Sequence, residues 1–166
     1  VTGVQTCALP ISENELGDDV VLVTLGSARP DRDEGEIGHH QNLWLERTLK
    51  KYEDKLKIVA MHHHLIGIPD TGSDRLTAID AGDVLRTVLD SNVSLVLCGH
   101  THRPWIWDFN TLSIANAGTT SSERVRGIFE NSYNIVKIEI GTFRVVFLYV
   151  CMYVCMYVCM YLCMSV

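Results

Sequence analysis

The sequence predicts an α/β sandwich with mixed sheets. Three observations carry that prediction. Short apolar runs rich in β-branched residues recur along the chain, segments of helical period lie between them, and alternating, turn-punctuated stretches follow. A length of 166 residues suffices for one domain with a sizeable core, and 47% hydrophobic residues argues against disorder. Lys plus Arg is 14 against 20 Asp plus Glu, a formal charge of −6, so the chain lacks the basic footprint of a nucleic-acid binder.

The elements follow in order. Val20 to Leu25 (VVLVTL) reads as a buried strand, and the stretch from Gly26 to Gly38 is polar and turn-rich. Leu45, Leu49 and Tyr52 fall at i, i+4 and i+7, which predicts a helix with Lys50, Lys51 and Glu53 outside. Lys57 to Met61 (KIVAM) is a second buried strand, followed by a loop from Leu65 to Ala78. Asp80 is placed to cap the next helix, with Asp83 in a capping-box-like position and Val84, Leu85, Val88 and Leu89 as the inner stripe. Val93 to Cys98 (VSLVLC) is a third buried strand. Pro104 to Asp108, Thr111 to Ala115, Tyr133 to Ile140 and Thr142 to Phe147 read as antiparallel strands and hairpins. The early βαβαβ order favours a parallel sheet with covering helices.

Both ends look foreign to this pattern. From Tyr149 the chain reads YVCMYVCMYVCMYLCM, a peptide period that a repeated TATG tetranucleotide would encode, so residues 149–166 read as a low-complexity, non-native tail. The second reading is a membrane anchor, since Val145 to Val166 is an uncharged run long enough to span a bilayer. Residues 1–12 (VTGVQTCALPIS) lack the basic start and long apolar run of a signal peptide and resemble translated adapter sequence. That leaves 13–148 as the domain. Four of the six cysteines sit in the last sixteen residues, so the count does not describe a disulfide scaffold. Cys98, alone in the apparent core, suits the reducing cytoplasm.

The histidines carry the chemistry. His62, His63 and His64 follow KIVAM, and His100 and His102 follow VSLVLCG, so both clusters sit just past the C-terminal end of an apolar strand. In open α/β sheets that edge binds ligands. Two parallel strands joined by a right-handed crossover bring both clusters to one edge. Gly99 is expected to take the sharp turn, and an extended chain would point His100 and His102 the same way. Neutral imidazole suits Zn, Mn and Fe ions, so the spacing predicts a metal site of at least three histidines. A lone His, or a bare His-x-His, is more often a surface or satisfied core feature. Two clusters at two strand ends are a far more specific signal.

LVLCGHTHRP resembles the last motif of the calcineurin-like metallophosphoesterases, the family of purple acid phosphatases, Ser/Thr protein phosphatases and cyclic-nucleotide phosphodiesterases. IVAMHHHLIGIPDTG is similar to the preceding His motif of that family. GSARPDRDEGEIGHHQNLWLERTL and IANAGTTSSERVRGIFENSYNIVKIEI resemble connecting and closing segments of its bacterial phosphodiesterase-like branch. The likeness runs from about Gly17 to Phe147. It implies the C-terminal part of a four-layer α/β/β/α sandwich that hydrolyses a small phosphoester with two divalent or trivalent ions (Mn, Fe or Zn). It also implies that His62 and His100 bind the second metal and His102 the first, with His63 touching substrate or supporting the ligands. His64 stands where relatives often carry Pro and receives no role, His39 and His40 are expected to face solvent, and Asn116 is expected to hold a turn.

The family's Asp-x-His, Gly-Asp and Gly-Asn-His motifs, which supply the bridging carboxylate, the Asn ligand and the acid His, do not appear in their contexts. Gly17-Asp18 precedes the first visible strand and Gly82-Asp83 opens a helix. The chain therefore reads as a fragment that alone binds metal weakly and hydrolyses little, with no catalytic residue assigned and one sheet edge left unpaired and prone to aggregation. Two alternatives belong to other classes. One is a mononuclear zinc hydrolase built on His62, His100 and His102; the other is a non-catalytic metal-binding module or decayed enzyme.

Overall fold

The computed structural model describes residues 11–30, 32–69, 71, 77–120, 131–139, 142–150 and 164–165. Residues 1–10 of the adapter-like start and 151–163 of the YVCM repeat lie outside them. Four parallel strands form the centre: β2 (Val20–Thr24), β3 (Leu56–Ala60), β4 (Leu95–Cys98) and β6 (Ser113–Asn116). Antiparallel strands β1 (Ser12–Glu15) and β5 (Trp105–Asp108) close the edges, giving the order β1-β2-β3-β4-β6-β5. Helix α1 (His39–Lys50) connects β2 to β3 and α2 (Ala81–Asp90) connects β3 to β4.

The β-branched runs predict β2, β3 and β4 because a central parallel strand is buried on both faces and needs no polar alternation. Alternate residues divide between the two faces. Val21, Val23, Val59, Val96 and Ile114 meet Leu45, Leu49, Val84 and Val88 of the helices in the main core. Val20, Ile58, Leu95 and Ala115 point the other way, where Val136 packs on them. Val136 belongs to β7 (Asn131–Glu139), which forms a second sheet with β8 (Thr142–Val150) and the short β9 (Met164–Ser165). Helices, sheet and second sheet make three successive layers of the expected sandwich; the fourth, helical layer does not occur among the described residues.

Several expectations change. β6 pairs parallel with β4, because the chain crosses through β5 at the edge before returning to the centre. β1 was not anticipated. Its SENE sequence is too polar to read as a strand, yet it covers the β2 edge expected to be bare. Glu13 and Glu15 reach Lys51 and Lys55 beyond the end of α1. Charge on the new outer strand discourages further pairing. Leu89 does not join the inner stripe of α2 and is 45% exposed, while Thr87 is buried in its stead. Asp80 does precede α2 but makes no side-chain cap. Its carboxylate instead accepts the backbone N–H groups of Ile37 and Gly38, at 3.0 and 2.7 Å, tying the loop before α1 to the start of α2. β8 gives strand structure to the first part of the run weighed as a membrane anchor, and no helix among the described residues is long and apolar enough to cross a membrane.

Candidate metal centre

Parallel pairing of β3 with β4 delivers both histidine clusters to one rim, and backbone hydrogen bonds extend the pairing past the strands. Met61 N donates to Leu97 O and Gly99 N to His62 O, each at 2.9 Å. The rings then converge. His62 Nε2 lies 3.1 Å from His100 Nδ1. Ring centroids are 5.0 Å apart for His62 and His100, 4.3 Å for His63 and His100, and 4.8 Å for His62 and His63. One ring nitrogen from each of these three residues falls within 4.8 Å of the others.

His102 is half-buried and is not one of that convergent trio. It lies close enough for its charge to disfavour protonation of His62. The chain between His100 and His102 is not extended. His100 and His102 adopt left-handed backbone with φ of 73° and 56°, and Thr101 N turns back onto Gly99 O at 2.9 Å. The sharp turn expected of Gly99 is taken by the two histidines themselves. Non-glycine residues in that region store strain, and such strain clusters at functional sites.

His63 is buried, with both ring nitrogens and its backbone N–H hydrogen-bonded. Its Nδ1 lies 2.9 Å from Ser27 Oγ, its backbone N–H donates to the same oxygen at 3.1 Å, and its Nε2 lies 3.0 Å from Asp33 O. His64 is fully buried beside the Gly99 backbone. Burial is the largest influence on His62, His63 and His64, and it holds all three below the usual imidazole range. At neutral pH these rings are uncharged, the form that ligates metal. His39 and His40 fall in the first turn of α1 and are exposed, and neither is among the converging rings. Asn116 ends β6 fully buried rather than holding a turn. Gly17-Asp18 sits in the β1–β2 connection, at the N-terminal end of β2 and thus at the rim opposite the histidines.

These residues fit a transition-metal ion. Two imidazole nitrogens bound at about 2.0–2.1 Å to one ion stand roughly 3 Å apart, as His62 and His100 do. Soft-to-borderline nitrogen donors suit Zn, Mn or Fe.

An α/β protein thus carries, at the C-terminal rim of its mostly parallel sheet, a cluster of imidazoles that could hold a metal ion. The chain matches the model of the calcineurin-like phosphoesterases over residues 8–104 and belongs to that family. It is 33% identical over 78 residues to the 3',5'-cyclic adenosine monophosphate phosphodiesterase CpdA of Escherichia coli K12. That alignment covers 46% of this chain and only 28% of the relative's length. Among solved structures, GAP50, the anchor in the inner membrane complex of Plasmodium, superposes with a TM-score of 0.63 at 14% identity, over 93% of this chain and 53% of that one. A dimetal phosphatase from Danio rerio gives 0.62 at 10% identity, over 80% and 55%. These two likenesses establish the fold.

Proposed function

We propose that this chain carries the histidine-rich rim of a metal-dependent phosphoester hydrolase acting on a small phosphoester. The observation that supports it most is the 3.1 Å approach of His62 Nε2 to His100 Nδ1 at the ligand-binding edge of the sheet. His62 and His100 hold one ion, His102 serves the other, and His63 supports the rings. When bound, divalent ions supply positive charge to the phosphoryl oxygens and acidify an attacking water. The half-buried rim limits competing solvent around the imidazoles.

In the intact enzyme the reading is dinuclear, with Mn, Fe or Zn. Two divalent charges need carboxylates to offset and bridge them, and the convergent trio offers imidazoles alone. Domain 13–148 by itself is therefore expected to bind metal weakly and turn over little, in a cytoplasmic setting, with 1–12 and 149–166 outside the functional unit. The test is metal stoichiometry by mass spectrometry together with turnover of bis-p-nitrophenyl phosphate by the purified chain. One weakly held ion with negligible turnover is expected. One tightly held zinc with turnover would favour the mononuclear alternative, and turnover equal to an intact family member would overturn the fragment reading.

A further inference from the structure

We propose that Ser27 is a positioning residue whose hydroxyl fixes the tautomer and orientation of His63, so that His63 braces the His62 and His100 rings. The bracing half of this proposal rests on the metal-site reading above. The residues that carry it come from three separate segments. Ser27 lies three residues beyond β2 and is 1% exposed, buried where a hydroxyl without partners is costly. Its oxygen meets both the backbone N–H and the Nδ1 of His63.

The chemistry of the four polar groups allows one consistent assignment. The Asp33 carbonyl only accepts, so His63 Nε2 carries the proton and donates at 3.0 Å. In a neutral ring Nδ1 is then a lone pair, and it accepts the Ser27 O–H at 2.9 Å. The Ser27 oxygen accepts the His63 backbone N–H at 3.1 Å. The opposite tautomer would set a ring lone pair against the Asp33 carbonyl and leave the Ser27 proton without an acceptor in this network.

Two further observations show that the ring is meant to stay where it is. A Cβ on Gly35 would come 2.3 Å from His63 Cγ and 2.5 Å from Nδ1, so the backbone at Gly35 presses directly on the imidazole. The loop that carries Gly35 is closed by Glu36 N donating to Ser27 O at 2.9 Å. The His63 ring in turn packs against His100 at 4.3 Å and stands edge-on to His62 at 4.8 Å. Since both His63 nitrogens are engaged within the chain, His63 does not act as a metal ligand; it is the wall against which two ligands are set. Groups of this kind orient ligands and tune the ion they hold.

The experiment uses the full 166-residue chain. Long-range nitrogen–proton NMR of the metal-free protein reads the His63 tautomer, and cobalt titration reads affinity through its visible absorption. Wild type is expected to show His63 protonated on Nε2 alone. Ser27→Ala should mix the tautomers and weaken cobalt roughly 10–100-fold. Ser27→Thr, which keeps the hydroxyl, should restore both within about threefold on the same scale. Should Ser27→Ala not fold, Ser27→Cys keeps the volume with a weaker donor and should move both readouts in the same direction. Unchanged tautomer and affinity in Ser27→Ala or Ser27→Cys would overturn the proposal, as would Ser27→Thr behaving like Ser27→Ala. If wild type takes up no cobalt, the metal-site reading and the bracing role fall together, and the tautomer spectrum alone still decides whether Ser27 sets His63.

Discussion

The loop after β3 and the turn after β4 bring the same residue type to the same rim, but different forces hold them there. His63 is fixed by partners distant in sequence: Ser27, 36 residues away, and the Asp33 carbonyl, 30 residues away. The turn after β4 is shaped by its own backbone, with His100 and His102 forced left-handed and Thr101 folding back on Gly99. One loop is therefore preorganised by satisfied hydrogen bonds, the other by local strain. A network of the first kind stands or falls with remote residues, whereas strain of the second kind can be relieved in place.

The largest expected effect removes what the two loops share. His62→Ala and His100→Ala should each weaken zinc by at least about 100-fold, measured by calorimetric titration, because each deletes one of the two nitrogens at 3.1 Å. Equal retention of zinc by either variant would break the idea of a joint site.

A glycine in each region separates them next. Gly35→Ala should cost about 1–3 kcal/mol in thermal stability, since its Cβ overlaps the His63 ring. Gly99→Ala should be close to neutral, because its Cβ meets only His62 O at an ordinary 3.7 Å and its φ is not positive. If both melt alike, the contrast between remote and local control disappears.

Strain in the turn sharpens the comparison further. His100→Gly should be more stable to urea than His100→Ala by about 1 kcal/mol, because glycine accepts φ of 73° without the Cβ penalty. Neither variant should hold zinc well, so stability and metal binding part company at one position.

The smallest effect concerns Cys98, the last residue before the turn. Burial pushes its thiol up to about 12. Alkylation at pH 8, followed at the Cys98 peptide by mass spectrometry, should be slow in the native chain and fast in urea. The folded thiol keeps its proton where the unfolded one loses it, above about pH 8.5. Stability should accordingly fall as pH rises through that point, by under about 1 kcal/mol at pH 9.

Much of this was legible in the sequence, and particular residues show why the rest was not. VVLVTL, KIVAM and VSLVLC announce central strands because full burial demands continuous apolar residues. Both His clusters follow such strands directly, so their convergence is readable from strand order alone. Ser12 to Glu15 carries no such pattern; it is a strand only because β2 offers a free edge. Asp80 satisfies the local rule for a cap, yet two N–H groups of the loop before α1 claim its carboxylate. Ser27 and Gly35 sit in the polar stretch GSARPDRDEGEIG, where nothing local marks them as partners of His63.

By itself, the sequence determined three of the four central parallel strands, the two crossover helices and the rim to which five imidazoles are delivered. Apolar run length and residue order act along the chain and are written in it directly. The tertiary structure alone decided which imidazoles meet, that His63 is held by Ser27 and Asp33 O, and that the turn falls on His100 rather than Gly99. The first two outcomes depend on hydrogen bonds and ring contacts between segments tens of residues apart, and a satisfied polar network has no periodicity for a sequence to display; the third is a backbone conformation that the residue types His100 and His102 do not announce.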